Sequence, residues 1–436
     1  MLRTPVIALL VAASVGAAGS VGVEASPAPL LGIVGDTAPL KLAGLDSQLL
    51  QPAGGPQVEV GSGGCAPRNG GRACWSIPPW TFSPNRTHLA VARNGTYSAG
   101  SLRIVDIAHL RVTADVQVGV GPVGALAWLA PGRLLALQEQ CCSGSQRLLA
   151  VDLARRRIVA SRSLGGTVVH VGQTASELVV LLAPARAIGP ARLAVVDARG
   201  ALRLVRLEQI LAGTKLIDAS TYRTRLRLPG LAIDPEARRA FVVDQSLVAE
   251  VDLRSLDVSY HALARRPSTA AKSVTGPMRV ATWLGGGVLA VSGVDDQSSV
   301  DALGREQTIV RSTGLLLVDT RSWQARMIDP GATWFVFAGG TLLAGGTGWD
   351  SRGIPSSIGL AAYALDGKLR FRLFDGEAAW VAQVYGTVAY IGTTLPNGRQ
   401  QPLQAVDLVA GREIGNRTQP LPSLVLGTSS GWWGGY

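Results

Sequence analysis

The chain has 436 residues, of which 47% are apolar, 16% charged and 5% aromatic, with 53 Gly and 24 Pro. It is too apolar and too sparsely charged to be disordered, and long enough to bury a large core. Its formal net charge is +11, and only four of its 41 Lys and Arg are Lys, a skew that reads as GC-rich, bacterial coding bias rather than as a nucleic-acid-binding composition.

The first element in chain order is a leader. Met1-Leu2-Arg3 is a basic start, the apolar run Val6 to Ala18 follows, and Val23-Glu24-Ala25 satisfies a small-x-Ala rule before Ser26. These are the three regions of a secretory signal peptide, and the apolar run is too short to span a bilayer. Residues 1–25 are expected to be the signal peptide, 26–38 an N-terminal linker, and 39–436 a single domain. No later segment has the length of a membrane helix, so the mature chain is expected to be secreted, without a transmembrane segment.

The rest of the chain is a repeat. Short apolar segments end in an aspartate at Asp46, Asp106, Asp152, Asp197, Asp252, Asp319, Asp366 and Asp407, at intervals of 41 to 67 residues. The shorter intervals match the period of a four-stranded propeller blade, and the longer ones contain insertions. One unit shows the pattern. Ala125 to Leu129, Arg133 to Leu137, Leu148 to Val151 and Arg157 to Ala160 read as four strands, separated by Pro131-Gly132, Ser143-Gly144 and the turn after Asp152. The eight aspartates are read as structural, each accepting backbone N–H bonds in the turn between the third and fourth strands.

Units such as Trp80-Thr-Phe-Ser-Pro84, Thr87-His-Leu-Ala-Val91 and Leu102-Arg-Ile-Val-Asp106 resemble the β-propeller superfamily of YVTN-type, WD40-like and quinoprotein-like repeats. The resemblance implies an all-β propeller, and it implies no reaction, because such folds host unrelated activities. Seven complete units and one split between the termini make eight blades the favoured number, with seven the alternative. Residues 40–58 are expected to supply the third and fourth strands of the split blade. Leu421 to Gly427 and Gly431 to Gly434 are expected to supply its first and second, closing the ring without exposed edges.

The fold sorts the loops onto two faces. Long polar segments at 93–98, 138–145, 293–313, 346–357 and 394–401 fall on the face conventionally called the top, where binding sites on a rigid scaffold concentrate. Asp295, Asp296 and Asp350 lie among them and could offer oxygens to calcium, although they lack the spacing of a recognised calcium loop. No other cofactor is expected. The four histidines avoid these loops, which argues against a His-based metal centre or acid–base site; His170 alone could point into the channel. Cys141-Cys142 resembles the adjacent pair of quinone-dependent enzymes, but the repeated signature of that class is absent. Export favours oxidation of Cys65, Cys74, Cys141 and Cys142, either locally within each pair or as cross-links between the pairs.

Arg155, Arg156, Arg157, Arg238 and Arg239 fall at turns of the opposite, bottom face, where a positive surface would attract anionic polymers or lipid head groups. Nucleic acid is not expected as a partner, because aromatic interleaving is missing. The leading functional reading is a secreted, non-enzymatic propeller that binds a ligand, polymer or protein through its top loops, its partner a protein, a carbohydrate or the cell wall. The rival reading is a hydrolase- or lactonase-like or quinone-dependent propeller enzyme with its site at the channel mouth.

Overall fold

The computed structural model describes residues 30–35, 39–46, 50–61, 64–68, 71–75, 78–93, 99–139, 146–218, 223–263, 274–300, 306–349, 355–417, 422 and 424–426. The expected signal peptide, residues 1–25, lies outside them. Every regular element among the described residues is a β-strand. The sequence explains why. In Leu134-Leu-Ala-Leu137 and Leu148-Leu-Ala-Val151 consecutive side chains are all buried, as required of strands sandwiched between two neighbouring sheets. The next strand, Arg157–Ser163, alternates partly buried with exposed positions and ends fully exposed, as suits an outer edge.

Such four-stranded antiparallel sheets are arranged as an eight-bladed propeller. Blade 1 consists of Trp80–Phe82, His88–Arg93, Ala99–Asp106 and Arg111–Val120, strands a to d from the channel outward. Blades 2 to 7 begin at Val123, Thr167, Gly230, Val274, Trp334 and Ala378 and keep that order. Blade 3 adds a fifth strand, Arg223–Arg227, and blade 5 adds Glu306–Ser312 beside its strand b. A separate hairpin, Gly64–Arg68 with Gly71–Trp75, precedes blade 1.

Blade 8 joins the two ends of the chain, but not in the expected proportions. The C-terminal side supplies only strand a, Leu424–Val425, and the N-terminal side supplies Leu31–Val34, Leu40–Leu45 and Pro52–Gly61. Strand b therefore lies within residues 26–38, the expected linker, so the propeller begins at Leu31 and not at residue 39. Four residues between prolines and a glycine carry too little periodicity to read as a strand. What makes them one is burial: Leu31 and Ile33 are closed off against blade 1, and Val34 packs on the blade 7 side. Residues 431–434 lie outside the described residues.

Closure is visible in the core. The buried apolar side chains of the described residues fall into eight clusters, one for each seam between neighbouring blades. The seam between blades 7 and 8 holds Leu45, Leu50, Tyr390 and Val425, and the next one joins Leu31, Ile33 and Leu426 to Leu89 and Val91 of blade 1. The strand-a tryptophans fill these seams. Trp283 stacks on Phe241 across blades 4 and 5, with centroids 5.3 Å apart. In blades 6 and 7, Trp334 and Trp380 lie over Gly345 and Gly392, where a Cβ would come within 2.3 and 2.2 Å of the indole. Those glycines make room for the rings.

The repeated aspartates hold the turns between strands c and d. Asp106 Oδ1 accepts from the N–H of Ala108, Asp152 from Arg155, Asp197 from Arg199 and Ala201, and Asp252 from Arg254 and Ser255. Asp319 accepts from Arg321 and Ser322, Asp366 from Lys368, and Asp407 from Val409 and Ala410. In blade 8 the Leu50 N–H donates to the Asp46 carbonyl, which closes the same turn. Backbone N–H donors hold the carboxyls of Asp152, Asp252, Asp319, Asp366 and Asp407 below the ordinary value of 3.8, and a bond from His109 does so at Asp106. A carboxyl with a depressed folded pKa contributes stability that is complete above its unfolded pKa and lost as pH falls through the folded one. The thermal midpoint should therefore hold down to about pH 4, near the ordinary Asp value, and fall steeply below it. A midpoint flat from pH 5 to pH 2.5 would deny these turns that role.

Candidate functional site

The loops b–c and d–a define the top face, and three of them are prolonged strands rather than irregular loops. Strand d of blade 3 runs on to Asp218 and turns back as Arg223–Arg227. Strand b of blade 5 continues to Val300 and pairs with Glu306–Ser312, Val294 opposite Ser312 and Val300 opposite Glu306. In blade 6, Thr347 faces Ser357 and Trp349 faces Pro355. Segments 293–313 and 346–357, expected as loops, are thus largely hairpin. The extension of blade 3 was not anticipated, although the alternation in Tyr222-Arg-Thr-Arg-Leu-Arg-Leu228 is a period-2 signal for it.

The chain leaving the blade 3 extension reaches strand a of blade 5. Leu228 bridges to blade 5: its N–H donates to the Pro277 carbonyl at 3.0 Å, and it accepts from the Arg279 N–H at 2.8 Å. Gly230, just below, has blade 5 backbone so near that a Cβ would sit 2.9 Å from the Ala281 nitrogen. At this point four charged side chains and an amide gather. Arg279, on strand a of blade 5, is 4% exposed, and its Nη1 donates to the carbonyls of Met278 and Val294. The same nitrogen lies 2.9 Å from Asp295 Oδ1, while Asp295 Oδ2 accepts from Gln245 Nε2 of blade 4 at 3.3 Å. Arg227 of the blade 3 extension reaches Asp244 of the blade 4 turn at 3.9 Å. Each carboxylate has its own arginine, so the cluster neutralises itself and ties three blades together at the top face.

That pairing bears on the calcium reading. Asp295 is already neutralised by Arg279, which removes a charge that a calcium ion would need. The side chain of Asp296 and all of Asp350 lie outside the described residues, and among those described no group of three or more His, Cys, Asp or Glu is placed to hold a metal. His170 sits on the inner strand of blade 3, its Nε2 buried without a hydrogen-bond partner. Burial lowers its pKa, so the imidazole is neutral at pH 7. His88 contacts Thr87 and His109 contacts Asp106 at bottom turns, and His261 contacts Glu250 on an outer strand.

The five arginines expected to form a basic patch divide into two sets. Arg155 and Arg157 are exposed at the bottom of blade 2, and exposed Arg156 reaches the Thr113 carbonyl of blade 1. Arg238 is bound to Glu177 at 2.7 Å, and Arg239 lies between Asp234 and Glu250 at 3.3 and 2.8 Å. The last two belong to the blade 3–4 region and its internal ion pairs. Sequence spacing cannot show this, because Glu177 lies 61 residues from Arg238. Cys65 stands opposite Cys74 in the hairpin before blade 1, and Cys141 and Cys142 lie outside the described residues.

No protein-family model matches the chain, and no curated protein matches it by sequence. Its fold, by contrast, is widely shared among solved structures. The dihydro-heme d1 dehydrogenase NirN, in complex with DHE, is similar over 93% of this chain and 76% of its own, with a TM-score of 0.54 at 13% identity. A prolyl endopeptidase aligns over 77% of this chain and 49% of its own, with a TM-score of 0.44 at 11% identity. The propeller domain of Cps50 (Swd1) from Myceliophteria thermophila covers 76% of this chain and 96% of its own, with a TM-score of 0.36 at 11% identity. The likeness is one of fold. At these identities it carries no residue role.

Proposed function

We propose that the protein is a secreted, non-enzymatic propeller that binds a protein, carbohydrate or cell-wall partner through its top face. One observation carries the reading: the extended hairpins of blades 3, 5 and 6 rise on the top side, whereas the bottom is closed by short Asp-capped turns. Strand extensions braced by the buried Arg279–Asp295 pair and the half-buried Arg227–Asp244 pair give a preorganised surface, which lowers the ordering cost of binding. To test it, residues 296–310 are replaced by a two-residue turn, and both proteins are titrated against isolated cell-wall polysaccharide and an arrayed glycan set. Binding by the parent and its loss in the shortened protein, at an unchanged thermal midpoint, is the expected result. Equal binding by both would remove the top face from the reading.

His170 supports the rival, an enzyme with its site at the channel mouth, because an imidazole with its Nε2 unpaired on the inner strand can act as a ligand or a base. A bound chromophore in the purified protein, removed by His170→Ala, would establish that rival.

Export also bears on the cysteines. Directly opposed residues of an antiparallel pair have Cα atoms about 4.5–5.5 Å apart, within the reach of a disulfide. The Cys65–Cys74 register therefore favours local pairing over cross-links to Cys141 and Cys142. Non-reducing peptide mapping after cleavage between residues 74 and 141 should return the two cysteine pairs on separate fragments. A fragment pair released only by reductant would show cross-linking instead.

A further inference from the structure

The bottom face is not uniformly charged. In blades 3 to 5 Arg203, Arg238 and Arg239 are spent within the fold, and the exposed Arg199, Arg254 and Arg321 stand one to a blade. Glu177 takes Arg203 at 3.0 Å as well as Arg238, Arg203 also donates to the carbonyls of Leu253 and Arg254, and Arg239 has two carboxylates. Glu236 and Asp257 add exposed negative charge there.

Blades 1 and 2 differ. Their bottom turns carry Arg86, Arg111, Arg133, Arg155, Arg156 and Arg157 against only Asp106 and Asp152. Both aspartates already cap backbone N–H groups. Arg133 and Arg155 converge on Asp152 at 4.0 and 3.7 Å, and Arg111 stands 3.7 Å from Asp106, yet their side chains are 40%, 65% and 70% exposed. Arg86 covers the Phe82 ring at 4.4 Å with its outer side open to solvent. Arg156, at φ +50°, ties the blade 2 turn to blade 1 through the Thr113 carbonyl and so fixes the two sets of cations side by side.

We propose that this sector binds a linear phosphate-bearing polyanion. Two carboxylates cannot neutralise six guanidinium groups, and guanidinium forks match phosphate oxygens. The sector runs from the a–b turns near the channel to the c–d turns at the rim, so it is an elongated track rather than a single pocket. A polymer suits it better than a bilayer. Only two exposed large apolar side chains stand beside the sector among the described residues, Val112 and Val159, and they lie singly on the outer strands of blades 1 and 2 rather than in the turns. This site is independent of the top-face reading and stands or falls separately.

The test titrates the mature protein with long-chain inorganic polyphosphate at low and high salt, with orthophosphate and phosphatidylglycerol vesicles as further arms. Polyphosphate should bind at low salt and weaken as salt rises. The double variant Arg155→Gln, Arg157→Gln should lose roughly 25-fold in affinity, about five-fold for each cation removed. The control pair Arg254→Gln, Arg321→Gln, from the bottom of blades 4 and 5, should bind as the parent does. Equal losses in both pairs, no binding at low salt, or binding to vesicles alone would each overturn the proposal, the last by assigning the surface to lipid.

Discussion

Ending the chain at Pro420 is expected to destabilise the whole ring and not one blade. The removed residues include Leu424–Val425, which supply strand a of blade 8 and pair with Ile33 and Gly32. Val425 and Leu426 are 0% and 5% exposed, and the Leu426 N–H donates to the Leu31 carbonyl at 2.8 Å. Burying two such side chains is worth about 3–6 kcal/mol, before counting the strand edge left open. Because Val425 belongs to the blade 7–8 seam and Leu426 to the blade 8–1 seam, both closing contacts weaken together. The measurement is a denaturant melt of the truncated protein beside the parent. A shared, lowered midpoint for all probes is expected, whereas an unchanged midpoint would mean that closure does not depend on the C-terminal strand. Val425→Asp, which leaves the chain length intact, should produce a loss of similar order by burying an unpaired charge.

Asp329→Ala should be among the most damaging single substitutions in the seams. Asp329 lies at the end of strand d of blade 5, 3% exposed, with three donors around it. Its Oδ2 accepts from the Tyr363 hydroxyl at 2.5 Å and from Arg372 at 3.0 Å, both of blade 6, and its Oδ1 accepts from the Gly331 N–H at 2.9 Å. Burial, then the adjoining carboxylate, pushes the Tyr363 phenol well above its usual pKa, so it stays a donor throughout the working range. Removing the carboxylate deprives the buried hydroxyl and the Gly331 N–H of their acceptor, while Arg372, 37% exposed, turns to water, a loss of about 2–3 kcal/mol. Tyr363→Phe leaves Asp329 with Arg372 and Gly331, so it should cost only about 1 kcal/mol. The double variant should lose less than the sum, since both substitutions act on one network. Equal losses from the two single substitutions would show that the hydroxyl, not the carboxylate, organises the seam.

What sequence alone determined was the repeat and its local chemistry. Strands such as Leu134 to Leu137 are legible because their buried runs and bounding turns lie within a few residues of each other. The turn aspartates are legible for the same reason: Asp252 bonds the N–H of Arg254 and Ser255, two and three residues on. The tertiary structure decided everything that depends on a neighbouring blade. Leu31–Val34 is a strand because Leu424–Val425 and Leu40–Leu45 flank it, and its own four residues could not announce that. Arg238 is spent on Glu177 of the previous blade, while Arg155 and Arg157 remain exposed, although all three read alike as turn arginines. Asp295 reads as a loop acid until Arg279, sixteen residues earlier, is seen to fold against it from the adjacent strand. Local hydrogen bonds and a two-residue period are written in consecutive residues. The availability of a charge is not, because it depends on which partner the ring brings within 3 or 4 Å across a seam.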